Sequence, residues 1–274
     1  MRAVVRSRTQ CIIPEMKPKG KTQNRAAPPE SQNDRLSPDR GDRWIIGLLI
    51  LLVVLFFWRV TLLGQVLMPL DVIFATEPWY SELPRQPDQT LWNPVITDAI
   101  WQFYPMASYA SEAWSRHVPL WDPYVLSGMP ALARGEMFSN PVFNILALFL
   151  SLERAVSWGG VLHILIALIA TYLLLREMKA GWTGALIGAL AFGFNGYLIG
   201  WLELPPVTGR MVWLPVVYLG VERAYRRRQW SWVLLGALGF AFQIWSGSIL
   251  WPFYAAVTLV LLAIYRSIYT WLST

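Results

Sequence analysis

Twenty consecutive residues of this chain, Trp44 to Leu63, carry a single charge, that of Arg59. A helix of this length is long enough to cross the hydrocarbon core of a bilayer, about 30 Å thick. No water reaches backbone groups in that core, so a chain crosses it only as a helix or a closed barrel. Forty-three residues precede the segment and no small-residue cleavage site accompanies it, which is unlike a secretion signal. The segment therefore predicts a membrane-spanning helix.

Further apolar segments follow at regular intervals, each flanked by charges or Trp. The composition agrees, because 55% hydrophobic residues and sixteen Trp exceed the usual content of a soluble domain. We expect an all-α polytopic membrane protein with about six spanning helices and a long, structured first outer loop. Pro141–Leu152 is too short to span, so it is interpreted as an interfacial or re-entrant piece. The later crossings are predicted at Trp158–Leu175, Trp182–Trp201, Pro206–Val221, Trp230–Trp245 and Ile249–Tyr265.

The basic residues orient these spans. Ten Lys or Arg precede Trp44, whereas residues 64–138 contain three. Because short segments rich in Lys and Arg stay in the cytoplasm, both termini are expected there and the long loop outside. The predicted organisation is a disordered basic cytoplasmic tail (1–43) and a transmembrane domain (44–274) in the cell membrane. Residues 64–140 form its first extracytoplasmic loop.

Several classes of protein are not indicated. The net charge of +6 is explained by topology, and we expect no nucleic-acid partner. The single Cys11 permits no disulfide within the chain. There is no zinc spacing, phosphate-binding Gly loop or Ser/His/Asp set, so no cofactor is identified, and a divalent metal requirement stays open. His163 lies within a span, where a hydrogen bond to a neighbouring helix is a simpler explanation than a functional role.

The outer loop contains a predicted amphipathic helix, Thr97–Arg116. At 100° per residue its apolar and polar side chains fall on opposite faces. Thr97 is the expected cap, and Asp98 then lies in the first turn, where the positive end of the helix dipole favours a charged carboxylate. Such a helix lies on a membrane surface or on other helices. Its predicted apolar face is Ile100, Phe103, Ala107, Ala110 and Trp114, and its polar face is Asp98, Gln102, Tyr109, Glu112 and Arg116.

Five motifs of this chain resemble those of the YfhO-like bacterial membrane proteins. That family is grouped with the GT-C glycosyltransferases, polytopic enzymes that take a sugar from a polyprenyl-phosphate donor on the outer face of the membrane. The resemblance covers Trp44 to the C-terminus and implies the same fold, donor and site of action. The motifs are PLD (69–71), NPVITDAIWQFYP (93–105), PLWDPYVLSGMPALA (119–133), FNGYLIGWLE (194–203) and WLPVVYLGVER (213–223).

The resemblance also implies a set of site residues. Asp98 occupies the place of the acid in the first outer loop that acts as base or orients the acceptor. Asp71 is the second acid of the family type, and Arg134 stands nearest the basic residue that holds the donor phosphate. One acid and one cation are enough for a single displacement, which would invert the anomeric carbon.

Two further substrate-binding candidates complete the predicted site. Gln102 lies one helical turn after Asp98, and a solvated side chain is its alternative explanation. Glu203 lies at the outer end of a span, where an ion pair with Arg210 is the alternative.

A different class of function remains open. YfhO-like chains are generally much longer, and their Gly-His-Pro-Gln motif is replaced here by SGSILWP from Ser246. A truncated, non-catalytic remnant or partner subunit is therefore the alternative, with a partner chain supplying the missing C-terminal part. A transporter component is less favoured, because the spans hold few charges and no matched interrupted helices.

Overall fold

The computed structural model describes residues 40–82, 93, 95–114, 120–131 and 141–273, which are mainly helical. The predicted tail, 1–43, lies outside this part of the chain except for its last four residues, which begin the first helix. The α-helices are α1 (Arg40–Phe56), α2 (Trp58–Thr61), α3 (Trp79–Glu82), α4 (Tyr104–Trp114), α5 (Pro141–Ala147), α6 (Leu152–Glu177), α7 (Trp182–Gly193), α8 (Gly196–Gly200), α9 (Pro205–Val212), α10 (Leu214–Arg227), α11 (Trp230–Trp245) and α12 (Leu250–Ser273). A 3₁₀ helix (Leu70–Ala75), a π-helical turn (Ala99–Phe103) and two short strands, β1 (Trp121–Asp122) and β2 (Met129–Pro130), complete the described elements.

Three helical segments in the described part of the chain are long and apolar enough to cross a membrane. They are α6, the α7–α8 segment Trp182–Gly200, and Leu250–Ile268 of α12. The prediction of a mainly α-helical chain with helices of membrane-spanning length is thus confirmed. The other three expected crossings coincide with helices that are shorter or interrupted: α1, α11 and the α9–α10 pair.

Two interruptions within predicted spans have local causes. Between α7 and α8, the Asn195 side chain accepts a hydrogen bond from the Leu198 amide (2.9 Å) and donates one to the Phe192 carbonyl (2.6 Å). Between α9 and α10, Trp213 separates the helices. Pro215 in the first turn of α10 has no amide hydrogen, so it cannot continue the backbone hydrogen bonding of α9.

Helix α6 is the centre of the bundle and packs against α1, α5, α7, α9 and α10. Its Ile164 and Leu168 are fully buried in one core with Leu49 of α1 and Ala185 and Ala189 of α7. Because every exposed face of this core would meet lipid, close packing of apolar and small side chains is what holds the helices together.

The basic clusters of the sequence converge on one end of the bundle, which we call the charged end. Three buried carboxylates form ion pairs with these basic residues. The sequence analysis did not single out these carboxylates. Because the start of α1 and the final turns of α6, α10 and α12 meet here, the long helices alternate in direction. The pairs are Asp42 with Arg176 (2.8 Å), Glu177 with Arg223 and Arg227 (3.0 Å each), and Glu222 with Arg226 (2.5 Å) and Arg266.

The predicted amphipathic helix is present, and its described side chains have the expected sidedness. Its apolar face is buried and its polar residues Asp98, Gln102 and Glu112 are exposed. Two details differ from the prediction. The cap position is Asp98 rather than Thr97, and its side chain makes no capping hydrogen bond, while the Thr97 carbonyl accepts from the Ile100 and Trp101 amides (3.0 Å each). A π-helical turn also precedes Pro105, which cannot donate to the carbonyl four residues earlier.

The other described parts of residues 64–151 and the turn at 201–204, together called the outer segments after their predicted location, pack beside this helix. Within Pro141–Leu152, α5 is a separate seven-residue helix lying against α6, and the interfacial or re-entrant placement stays a prediction. In the PLWDPYVLSGMPALA motif, β1 and β2 form a hairpin that contains Gly128 at φ +110°. A Cβ at Gly128 would lie 2.7 Å from the Trp121 ring, so both the backbone conformation and the space require glycine.

Candidate functional site

A cavity of about 210 Å³ lies between the amphipathic helix and the junction of α8 with α9. This junction is at the end of the bundle opposite the charged end, because α10 continues from α9 toward Arg227. The walls combine one carboxylate, one amide and one guanidinium with apolar side chains. The lining residues are Asp98, Gln102, Phe103, Met106, Trp201, Leu204, Pro206, Val207 and Arg210.

Helical spacing brings Asp98 and Gln102 to the same cavity, because residues four apart share a face. The opposite face is anchored: Phe103 is buried and contacts the Phe143 ring edge-on at 5.6 Å. Tyr104 donates a hydrogen bond to Glu153 of α6 (2.5 Å), and this bond, with burial and the Glu153 charge, raises the pKa of Tyr104 to about 12. The phenol therefore stays protonated and fixes the helix at physiological pH.

Arg210 supplies the cation of the cavity, and sequence reasoning did not select it. Its Nε donates to the Ser246 carbonyl (3.1 Å), while its own carbonyl accepts from the Gln243 side chain (2.8 Å). A Cβ on Gly209 would lie 2.9 Å from Ser246 Oγ, so glycine allows α9 to approach the end of α11 this closely. These contacts hold the arginine backbone in place. The sequence did contain one signal for Arg210, because this residue follows by about one turn the two prolines that begin α9.

A buried polar cluster lies behind Arg210. His163 Nδ1 and Thr208 Oγ1 are 2.9 Å apart and both side chains are fully buried, as is that of Gln243. The hydrogen bond joins α6 to α9. The prediction that His163 bonds to a neighbouring helix is thus confirmed.

A second carboxylate group lies in the outer segments. Glu203 is buried and accepts a hydrogen bond from the Asn93 side chain (2.8 Å). Burial raises the pKa of Glu203, and the nearby charge of Asp71 raises it further, against the opposing effect of the Asn93 bond. Among the described residues, no ion pair joins Glu203 to Arg210, so that alternative is not realised.

The predicted site residues are thus found in two places. Asp98 and Gln102 line the cavity, whereas Asp71 and Glu203 interact with each other electrostatically. Arg134 lies outside the described residues. Within the described ranges no three His, Cys, Asp or Glu side chains converge as metal ligands. The roles assigned to these residues stay predictions.

These features define a mainly α-helical membrane protein with a carboxylate and a guanidinium group on one cavity beside its outer segments. No family model, curated protein or solved structure matches the chain. Its function must therefore be argued from the cavity.

Proposed function

We propose that this chain is a glycosyltransferase of the GT-C type, which transfers a sugar from a polyprenyl phosphate to an acceptor on the outer face of a bacterial membrane. The observation that carries the proposal is the shared cavity of Asp98 and Arg210. Its two walls come from NPVITDAIWQFYP and FNGYLIGWLE with the residues that follow it, two of the motifs that resemble the YfhO-like family.

In the proposed reaction, a hydroxyl oxygen of the acceptor attacks the anomeric carbon of the donor sugar. The bond from this carbon to the phosphate oxygen breaks, and its electron pair leaves with the polyprenyl phosphate. Asp98 takes the hydroxyl proton, while Arg210 stabilises the charge that grows on the phosphate. Gln102 orients the acceptor. A single displacement inverts the anomeric configuration.

Arg210 has the role that the resemblance implied for Arg134. A guanidinium binds phosphate oxygens through two parallel hydrogen bonds, and Arg210 already has its backbone fixed by α11.

The proposal includes six crossings, with both termini in the cytoplasm. Support comes from the charged end, where helices of alternating direction bring their basic residues together. Helix α11 has sixteen residues, or about 24 Å at 1.5 Å per residue, and α1 has seventeen, so both come close to the thickness of the hydrocarbon core. The cavity would then open on the outer face.

The test is a sugar-transfer assay in membranes supplied with polyprenyl-phosphate sugars. We expect Asp98→Asn to lower turnover by at least about 10²-fold, because general-base catalysis typically contributes about 10² to 10⁴. Asn has nearly the same shape and Asp98 is exposed, so the protein should still fold. Glu112→Gln, on the same exposed face but away from the cavity, is the matched control and should have little effect.

Equal loss of turnover in both variants would indicate that the polar face serves folding. Full activity of the Asp98→Asn variant would show that Asp98 is not the general base. A folded wild-type protein that transfers none of the sugars offered would favour the alternative of a non-catalytic remnant or partner subunit.

A further inference from the structure

A second cavity, of about 500 Å³ and lined only by apolar side chains, lies between α10, α11 and α12. We call it the α12 groove. It is open at the surface, because its wall residues Val233 and Val260 are 43% and 58% exposed. Its volume is within the range of ligand pockets, about 300 to 1,000 Å³. The lining residues are Val217, Val221, Ala224, Val233, Gly236, Ala237, Phe240, Ala256, Leu259 and Val260.

Small side chains create the groove. Helices α10 and α11 are in backbone contact, since a Cβ on Gly220 would lie 2.6 Å from the Gly236 Cα. Helix α12 is attached to α10 at two points, through a Tyr218–Thr258 hydrogen bond and the Arg266–Glu222 ion pair. Around these points the lining alanines Ala224, Ala237 and Ala256, one on each helix, and Gly236 of α11 leave the space unfilled.

The groove ends at the charged end of the bundle. On α10 its lining residues Val217, Val221 and Ala224 recur every three to four positions, so Arg227, the last residue of α10, comes next along this face, and Arg228 follows it as the C-cap. Four arginines pair there with two carboxylates, Glu177 and Glu222, which leaves a positive excess, and the exposed Arg228 adds to it. From Val217 to Arg227 α10 rises about 15 Å, half of the roughly 30 Å hydrocarbon core.

We propose that the α12 groove binds one acyl chain of an anionic phospholipid, whose phosphate contacts Arg228 and the neighbouring guanidinium groups. The apolar lining fits the hydrocarbon chain, and its length fits one leaflet of the bilayer. The positive excess at its polar end selects a headgroup with net negative charge. This site is separate from the Asp98 cavity and does not depend on the proposed transferase activity.

The test is native mass spectrometry of the full-length protein in mild detergent, titrated with phosphatidylglycerol or with phosphatidylcholine of the same acyl chains. We expect one tightly retained phosphatidylglycerol on the wild-type protein and weaker retention of phosphatidylcholine. Ala237→Phe fills the groove and should abolish this retention. Ala241→Phe, one turn further along α11 and outside the lining, should keep it.

The headgroup is tested separately. Arg228→Gln should weaken retention of phosphatidylglycerol about five-fold, the factor that corresponds to about 1 kcal/mol for one basic residue near a membrane surface. Arg154→Gln, an exposed arginine in the first turn of α6 at the opposite end, should leave retention unchanged.

Three results would overturn the proposal: unchanged retention in Ala237→Phe, equal retention of the two lipids by the wild type, or displacement of the phospholipid by one equivalent of polyprenyl phosphate. If Ala237→Phe fails to elute as a folded species, Val260→Trp fills the groove from its exposed wall. The Arg228→Gln measurement does not depend on the outcome for Ala237→Phe or Val260→Trp.

Discussion

The acidic residues of the outer segments differ in their surroundings. Asp98 is exposed at the edge of a cavity, where an acceptor hydroxyl can reach it. Glu203 is buried, bonded to Asn93 and close to the charge of Asp71, and these surroundings raise its pKa. Asp98 is therefore suited to accept a proton from a substrate, whereas Glu203 is suited to hold the outer segments against α9.

The raised pKa of Glu203 predicts a pH dependence of stability. At pH values above the ordinary Glu pKa of about 4.3, the Glu203 carboxyl group binds its proton more tightly in the folded state than in the unfolded state. The free energy of unfolding should therefore fall as the pH rises from there through the raised pKa. Glu203→Gln cannot lose a proton, so thermal melts of the variant in detergent should show a weaker dependence in this range. Glu112→Gln, an exposed control, should keep the wild-type slope. An unchanged slope in Glu203→Gln would contradict this account.

Helical periodicity was enough to place Asp98 and Gln102 on one exposed face, because that property depends only on local geometry. Arg210 was not predicted as a site residue, because an ion pair with the nearby Glu203 was the simpler expectation from sequence. The contacts that decide otherwise, with Ser246 and Gln243, come from a helix more than thirty residues away. Such tertiary partners leave no periodic signal.

At the scale of helices, α10 and α11 pack more closely than any apolar side chain allows. Their approach depends on Gly220 and Gly236, with Gly239 beside the valines of α10. Contacts of this kind replace the hydrophobic driving force between helices that are surrounded by lipid.

We therefore expect Gly220→Ala to destabilise the protein by about 1 to 3 kcal/mol, since the new methyl group overlaps the α11 backbone and forces the helices apart. Thermal unfolding in detergent measures this. Gly47→Ala on α1, where a Cβ meets nothing within 4 Å, is the control and should be neutral or slightly stabilising. Comparable loss in both variants would show that the glycines matter for the helix itself rather than for its packing.

Hydropathy located the helices well but did not locate their breaks. The predicted segments at Trp158–Leu175 and Trp230–Trp245 correspond to single helices, α6 and α11. The segments at Trp182–Trp201 and Pro206–Val221 are each divided in two. A break that rests on one Asn side chain or on one Trp between helices changes the average hydropathy of a span very little.

For the whole molecule, the distribution of charge is the main evidence on orientation. The sequence places most basic residues on one predicted side, and the structure brings those it describes to one end with Asp42, Glu177 and Glu222. The cavity lies at the other end. Orientation in the membrane thus decides which face the proposed chemistry serves.

Labelling with a membrane-impermeant maleimide tests this orientation in a chain that carries Cys11→Ala. We expect Ser81→Cys, in the outer segments, to react in intact cells. Gln229→Cys, between α10 and α11 at the charged end, should react only after the membrane is permeabilised. The reverse pattern would place the cavity in the cytoplasm.

The most direct measurement is an experimental structure of the protein with a polyprenyl-phosphate sugar bound in a lipid environment. We predict the donor phosphate within hydrogen-bonding distance of the Arg210 guanidinium, and the anomeric carbon on the side of the cavity that faces Asp98. A donor phosphate bound at the charged end, or a donor that leaves the Asp98–Arg210 cavity empty, would contradict the proposed site.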